Sequence, residues 1–256
     1  MLPNQINGVL LDLDGTLYVG DRIIDGAIQL IEHLEHKKVP YACLTNITSR
    51  PRAAVLERLG RLGLSIQADR VLTAPMATKR YLDDHGIGRC YFLTRPPLIE
   101  DFQGHPQSDD GAQAVVVGDL GKFSSFEHLN TAFRLVLGGA PLITMTRSLY
   151  FKSAEGMVLD AGAFVNMLES ATGRTAITTG KPAKPFFQAA LEQIECSPEH
   201  AVMVGDDVSG DIGGAQAAGI AGVLTMTGKT SQKPDTQAGV QPDLVIESVR
   251  ELIDLI

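Results

Sequence analysis

The stretch "GVLLDLDGTLYVGD", Gly8 to Asp21, runs an apolar segment, Val9-Leu10-Leu11, into two aspartates one residue apart and then a glycine. An apolar strand that ends in paired negative charge needs something at its end to meet that charge. Side chains two apart on a strand share a face, so Asp12 and Asp14 are expected to point to the same side. Gly15 then lets the backbone turn sharply beside them.

Outward from this stretch, strands alternate with helices, the pattern of parallel strands joined by crossover helices. Ala27, Leu30, Ile31 and Leu34 fall at helical spacing within Gly26–Glu35. "YACLT", Tyr41 to Thr45, reads as a second strand, and Ser49-Arg50-Pro51 as a helix start followed by Val55, Leu59 and Leu62. Val71 to Thr73 is a third strand. The same style resumes downstream. Phe187, Ala190, Leu191 and Ile194 form a helical stripe, "AVMVG" ends at Gly205, "IAGVLT" follows a Gly/Ala-rich helix, and "PDLVIESVRELIDLI" reads as a strand and a closing helix.

Between these halves lie about a hundred residues with apolar stripes of their own: Leu129, Ala132, Phe133 and Val136, then Phe164, Met167, Leu168 and Ala171. "CYFLT", "AVVVG" and "LITMT" read as strands, and the polar loop "RPPLIEDFQGHPQSDDGAQ" is expected to be exposed. The expected fold class is therefore α/β: a doubly wound, Rossmann-like parallel sheet made of both chain ends, residues 1–75 and 178–256, with a smaller α/β cap inserted at 76–177.

Composition narrows the function classes. The 256 residues carry a net charge of −8 without a basic cluster, which argues against a nucleic-acid backbone as partner. Cys43, Cys90 and Cys196 are widely separated in apolar surroundings, as expected of reduced thiols, and the six histidines lack metal-ligand spacing. The N-terminus lacks the pattern of a secretory signal, and no apolar run reaches the roughly 18 residues of a membrane span, so the expected location is the cytoplasm.

In an open α/β sheet, ligands bind outside the carboxyl ends of the strands, where strand order reverses. Asp12-Leu13-Asp14-Gly15-Thr16, Thr45-Asn46 and Gly205-Asp206-Asp207 all end strands, and Gly180-Lys181-Pro182 precedes a helix. If those strands are neighbours, carboxylates crowd at one crevice and repel unless a cation shares them. That predicts a hard cation with oxygen ligands, Mg²⁺ being the natural choice. A lysine and a hydroxyl beside it suit a phosphoryl group.

"DLDGTL", the strand-end threonine, the lysine before proline and "GDDVSGD", in that order, resemble the haloacid dehalogenase superfamily of aspartate-dependent phosphatases. The insertion between threonine and lysine resembles the type C2 cap of subfamily IIA. "DGTLYVGDRIIDGA", "LTNITSR" and "GKP" resemble the group containing the phospholysine phosphohistidine inorganic pyrophosphate phosphatases and the NagD-like phosphatases. The resemblance implies that Asp12 is the nucleophile that forms an aspartyl-phosphate, and that Asp14 is the general acid and base. It implies metal ligation by the Asp12 side chain, the Asp14 backbone carbonyl and Asp206. Thr45 and the Asn46 backbone N–H would bind the phosphoryl oxygens, Lys181 would neutralise charge, and Asp207 and Asp211 would support the metal waters or Lys181. Relatives of this kind are often dimers through the cap, so a homodimer is a further expectation, with a small phosphorylated molecule as substrate.

Each residue has a plainer reading. Asp14-Gly15 is also a turn signal, Thr45 a β-branched strand residue, and Asp206, Asp207 and Asp211 also suit a helix N-terminus. The alternative from another class is a receiver-like phospho-accepting module, which also combines clustered aspartates, Mg²⁺, a Thr and a Lys-Pro; the second aspartate and the insertion count against it. "AVVVGDLGK" mimics "AVMVGDD" but lacks the second carboxylate, which assigns Asp119 to a cap loop at the mouth of the site. Ile47 stands where the subfamily usually has a second asparagine, and "TMTRSLYF" where many relatives have Thr-Asn and an acidic residue.

Overall fold

The computed structural model describes residues 1–123, 125–153, 156–228 and 239–256. In chain order the strands are β1 (Gly8–Asp12), β2 (Tyr18–Val19), β3 (Arg22–Ile23), β4 (Tyr41–Thr45), β5 (Val71–Thr73), β6 (Cys90–Leu93), β7 (Ala114–Val117), β8 (Leu142–Thr144), β9 (Tyr150–Ser153), β10 (Gly156–Leu159), β11 (Ile177–Thr178), β12 (Ala201–Gly205), β13 (Ala221–Thr225) and β14 (Leu244–Ile246). The helices are α1 (Ala27–Lys37), α2 (Arg52–Arg61), α3 (Ala74–Asp84), α4 (Phe126–Leu137), α5 (Ala161–Thr172), α6 (Lys184–Gln193) and α7 (Gly214–Ala217). Among the described residues no helix is long and apolar enough to cross a membrane.

The chain divides into two compact units. The first comprises Met1–Thr45, Val55–Leu72 and Lys181–Ile256; the second, Asn46–Ala54 and Thr73–Gly180. The first holds the parallel strands in the order β14-β13-β12-β1-β4-β5. From β1 the chain builds outward through β4, then returns to the other side and builds outward from β12. The order therefore reverses at β1 and β12, whose carboxyl ends lie side by side. Every residue of β1, β4 and β12 is buried, as strands covered on both faces require. The doubly wound α/β fold read from the sequence is the one observed.

The second unit has a parallel sheet of its own, β11-β8-β7-β6, and a separate antiparallel hairpin, β9–β10. Its core is built from Val115, Val117, Ala132, Val136 and Val165 on one side of the sheet and Phe92, Val116, Phe102 and Ile143 on the other. Three sequence expectations need correction here. The buried face of α5 is Ala161, Gly162, Val165 and Leu168, with Met167 and Ala171 exposed. Small residues win because the helix start packs on backbone: a Cβ on Gly162 would stand 2.3 Å from the Arg147 carbonyl oxygen. The loop after β6 is not simply exposed, since Pro96–Phe102 forms a 3-10 helix that buries Leu98 and Phe102, with His105 buried just beyond it. The closing segment is a 3-10 helix, Val249–Leu255, started by a Ser248/Glu251 capping box.

Candidate active site

All the chemistry-bearing residues at the reversal point except Asn46 belong to the first unit. Leu11 pairs with Val204 and Asp12 with Leu44, so Asp12 is level with Gly205 on one side and one residue short of Thr45 on the other. Asp12, Thr45, Lys181, Asp206 and Asp211 are all buried, while Asp14 is exposed and Asp207 half-buried. Asp12 and Asp14 thus lie in different surroundings: β1 ends at Asp12 and the chain turns at Gly15, φ +104°, so the strand alternation expected to carry both residues does not extend to Asp14.

Lys181 Nζ is the hub, donating to Asp12 Oδ1 at 2.5 Å and to Asp211 Oδ1 at 2.6 Å. The other oxygen of Asp211 accepts the Asp207 N–H at 3.1 Å, so Asp211 is held from both sides. Asp207 caps the π-helical turn Val208–Gly213 through Ser209 N and Gly210 N, which makes the plainer helix-cap reading of Asp207 correct for its side chain. Thr45 lies buried at the end of β4. Asn46 falls in the second unit, where its amide donates to Thr146 Oγ1 at 3.4 Å.

Carboxylate oxygens of Asp12, Asp206 and Asp211 all lie within 4.8 Å of one another, and the cluster shares the Lys181 ammonium. Burial pushes the Asp12 carboxyl up to about 6, against the pull of Lys181 and with help from the Asp206 charge. Burial raises Asp211 to about 6 as well, again against Lys181, with Asp12 and Asp207 adding. For Lys181 burial acts downward, but Asp12 and Asp211 outweigh it and hold the ammonium above the usual lysine range. A buried, all-oxygen donor set with more negative than positive charge fits a hard divalent cation.

The sequence places Thr16 in the strand-end run, with a helix or turn cap as its plainer reading, and does not single out Thr227 or Gly228. Thr16 is buried and its hydroxyl lies 3.5 Å from Asp12 Oδ2. Thr227 donates to the Gly15 carbonyl at 2.6 Å. Gly228 leaves room for Asp206, since a Cβ there would stand 1.9 Å from Oδ2. The readable signal was "TMTG" at the end of β13, a strand end beside the others in the sheet. Asp119 is buried in the second unit, its N–H on Thr48 Oγ1 at 2.9 Å and its carboxylate between Gly121 N and Arg95, both at 2.9 Å.

A family model described as haloacid dehalogenase-like hydrolase matches residues 9–106, and one described as HAD-hydrolase-like matches residues 178–252. The haloacid dehalogenase-like hydrolase domain-containing protein 2 of Homo sapiens is 38% identical over 249 residues, spanning 97% of this chain and 95% of its own length. The Homo sapiens phospholysine phosphohistidine inorganic pyrophosphate phosphatase is 32% identical over 257 residues, spanning 98% of this chain and 94% of its own. Among solved structures, a 4-nitrophenylphosphatase from Thermotoga maritima superposes with a TM-score of 0.91 at 29% identity, covering 97% of each chain.

Proposed function

Because the chain belongs to the haloacid dehalogenase-like hydrolases, we propose that it is a Mg²⁺-dependent phosphatase acting through an aspartyl-phosphate on Asp12. Its substrate in this reading is a small phosphorylated metabolite, cleaved at a phosphomonoester, phosphoramidate or pyrophosphate bond. The observation that carries the proposal is the buried Asp12 carboxylate with Lys181 Nζ at 2.5 Å and Asp206 beside it, at the reversal point of the sheet. The receiver-like alternative gains no support, because the relatives found are named hydrolases and phosphatases.

Asp12 Oδ attacks phosphorus, forming an O–P bond as the bond to the leaving group breaks. Asp14, exposed at the turn, gives the leaving group its proton and then takes one from the water that cleaves the aspartyl-phosphate. Lys181 holds Asp12 and faces the equatorial charge, Asp211 holds Lys181, and the Thr45 hydroxyl with the Asn46 N–H orients the phosphoryl oxygens. Asp12, the Asp14 carbonyl and Asp206 are the groups that would hold Mg²⁺, which when bound neutralises negative charge as the phosphoryl group meets the carboxylate. The long segment of the second unit, Thr73–Gly180, is proposed to contain the cap whose residues select the leaving group.

The test is free-phosphate release by the purified protein with Mg²⁺, using p-nitrophenyl phosphate, acetyl phosphate, pyrophosphate, phospholysine, nucleotide monophosphates and sugar phosphates. Turnover of at least one of them, lost in Asp12→Asn, is expected. Asp12→Asn turning over as fast as the native chain, or no turnover of any member, sinks the proposal.

A further inference from the structure

Arg58 sits on α2 in the first unit, outside every motif that suggested the chemistry, and its side chain is 14% exposed. Its guanidinium lies over the Tyr18 ring, 5.0 Å from the centroid, and Nη2 donates to the Gly20 carbonyl at 2.7 Å. Planarity is what makes both contacts available to one group. A third contact, Nη2 to Asp21 Oδ1 at 3.4 Å, reaches a side chain that is 96% exposed and adds little.

Tyr18 and Gly20 belong to the hairpin β2–β3, in which Tyr18 pairs with Ile23 and Val19 with Arg22. A hairpin with two residues per strand does not hold itself together in water. Of those four residues only Tyr18 is buried; Val19, Arg22 and Ile23 are exposed. Tyr18 and the turn carbonyl are therefore where the body of the protein grips the hairpin, and Arg58 grips both.

The same residue closes the loop that carries Asp14. The Tyr18 carbonyl accepts the Gly15 N–H at 2.8 Å, the Tyr18 N–H reaches the Leu13 carbonyl at 3.3 Å, and Asp14 and Tyr18 form a bridge pair. Backbone hydrogen bonds thus tie residues 13 to 18 into one piece whose outer end is the hairpin. We propose that Arg58 is a positioning residue for Asp14, acting through the Tyr18 ring and the Gly20 carbonyl. The proposal rests on the reading of Asp14 as the proton donor to the leaving group.

Two aryl phosphates of similar shape separate the possibilities. Phenolate is a more basic leaving group than p-nitrophenolate, so kcat/KM for phenyl phosphate depends more on proton donation than kcat/KM for p-nitrophenyl phosphate. Both are measured on one preparation, so their ratio is independent of the folded fraction. Arg58→Met keeps the apolar stem and is expected to lower phenyl phosphate turnover by about tenfold while changing p-nitrophenyl phosphate by about twofold or less. Arg58→Lys should behave like Arg58→Met, because an ammonium is a point charge without the planar fork. Asp14→Asn should shift the ratio the same way and further.

If Asp14→Asn shifts the ratio and Arg58→Met does not, Arg58 has no positioning role, whatever happens to the absolute rates. If Asp14→Asn leaves the ratio unchanged, the acid role is wrong and the proposal falls with it. A readout without turnover accompanies these: amide hydrogen exchange over residues 13–24 of the metal-free protein should quicken in Arg58→Met while β1 and β12 stay as protected as before. Unchanged exchange over 13–24 also overturns the proposal.

Discussion

At Gly228 a single methyl group would decide where Asp206 can sit. A Cβ there would stand 1.9 Å from Asp206 Oδ2 and 2.7 Å from the Gly15 Cα, and a Cβ on Gly15 would stand 2.2 Å from the same oxygen. The carboxylate is wedged between two backbones, with the bare glycines as walls. Gly15 confounds two effects, since its φ of +104° is strained for any side chain, whereas Gly228 has no such restriction and isolates the steric one. Gly228→Ala should therefore keep the fold at a cost of about 1–3 kcal/mol. It should lower kcat/KM on the order of 10²-fold, because displacing one carboxylate of the cluster by about 1 Å is enough for that. Thermal unfolding and phosphate release on the same sample check the two numbers. A variant as active as the native chain would mean that the position of Asp206 is not critical.

At the scale of elements, the second unit shows how a side-chain lock sets what packing leaves open. Arg147, just after β8, donates from Nη1 and Nη2 to both oxygens of Glu169 on α5 at 2.9 Å, from Nη2 to the Ala176 carbonyl at 2.9 Å and from Nε to Thr178 Oγ1 at 3.0 Å. Bidentate geometry makes this more than an ordinary surface pair. The Arg147 hydrogen bonds hold the Glu169 carboxyl below the usual glutamate range, with partial burial opposing. A depressed carboxyl contributes stability that is present above the unfolded-state value and is lost as pH falls through the folded-state value. Glu169→Gln should thus cost about 1–3 kcal/mol at neutral pH, and the gap from the native chain should close as acid protonates Glu169. Denaturant melts at several pH values test this; a gap that stays constant into acid would show that charge is not the cause. This lock was not legible beforehand, since Arg147 and Glu169 are 22 residues apart on segments without a shared period. The α5 face is legible only in part: Leu168 is buried and Phe164 packs against the same core as expected, but Met167 and Ala171 are exposed, and the close approach of the helix start to the Arg147–Ser148 backbone leaves no room for a Cβ at Gly162. The pairing of β9 with β10 is not legible in the sequence because β10 is mostly exposed and neither strand has the apolar runs that make β1, β4, β7 and β12 readable.

At the scale of the whole molecule, the fold concentrates its charge where the sheet changes direction. That much was readable, because strand-end aspartates following apolar runs cannot be packed away, and the order β12-β1-β4 places Asp206, Asp12 and Thr45 on adjacent strand ends. The helpers were not: Thr227, Gly228 and Arg58 act through hydrogen bonds or empty space that no spacing rule encodes. Crowding Asp12, Asp206 and Asp211 around Lys181 works against stability, since burial penalises each charge and like charges add to the penalty. A site that is destabilising when empty and stabilising when filled has a two-signed signature. In the proposed reading, Mg²⁺ at about a hundred times its Kd contributes roughly 2.7 kcal/mol, a rise in melting temperature on the order of 5–10 °C for a chain of this size. Asp206→Asn removes one of the crowded charges while nearly keeping its shape, so it should melt higher than the native chain in EDTA and gain little from Mg²⁺. Differential scanning calorimetry of both proteins with EDTA and with Mg²⁺ reads the two signs together. Equal Mg²⁺ shifts in the two proteins would place the cation elsewhere, and a lower melting temperature for Asp206→Asn in EDTA would mean that hydrogen bonds to Asp206, rather than repulsion around it, dominate the empty site.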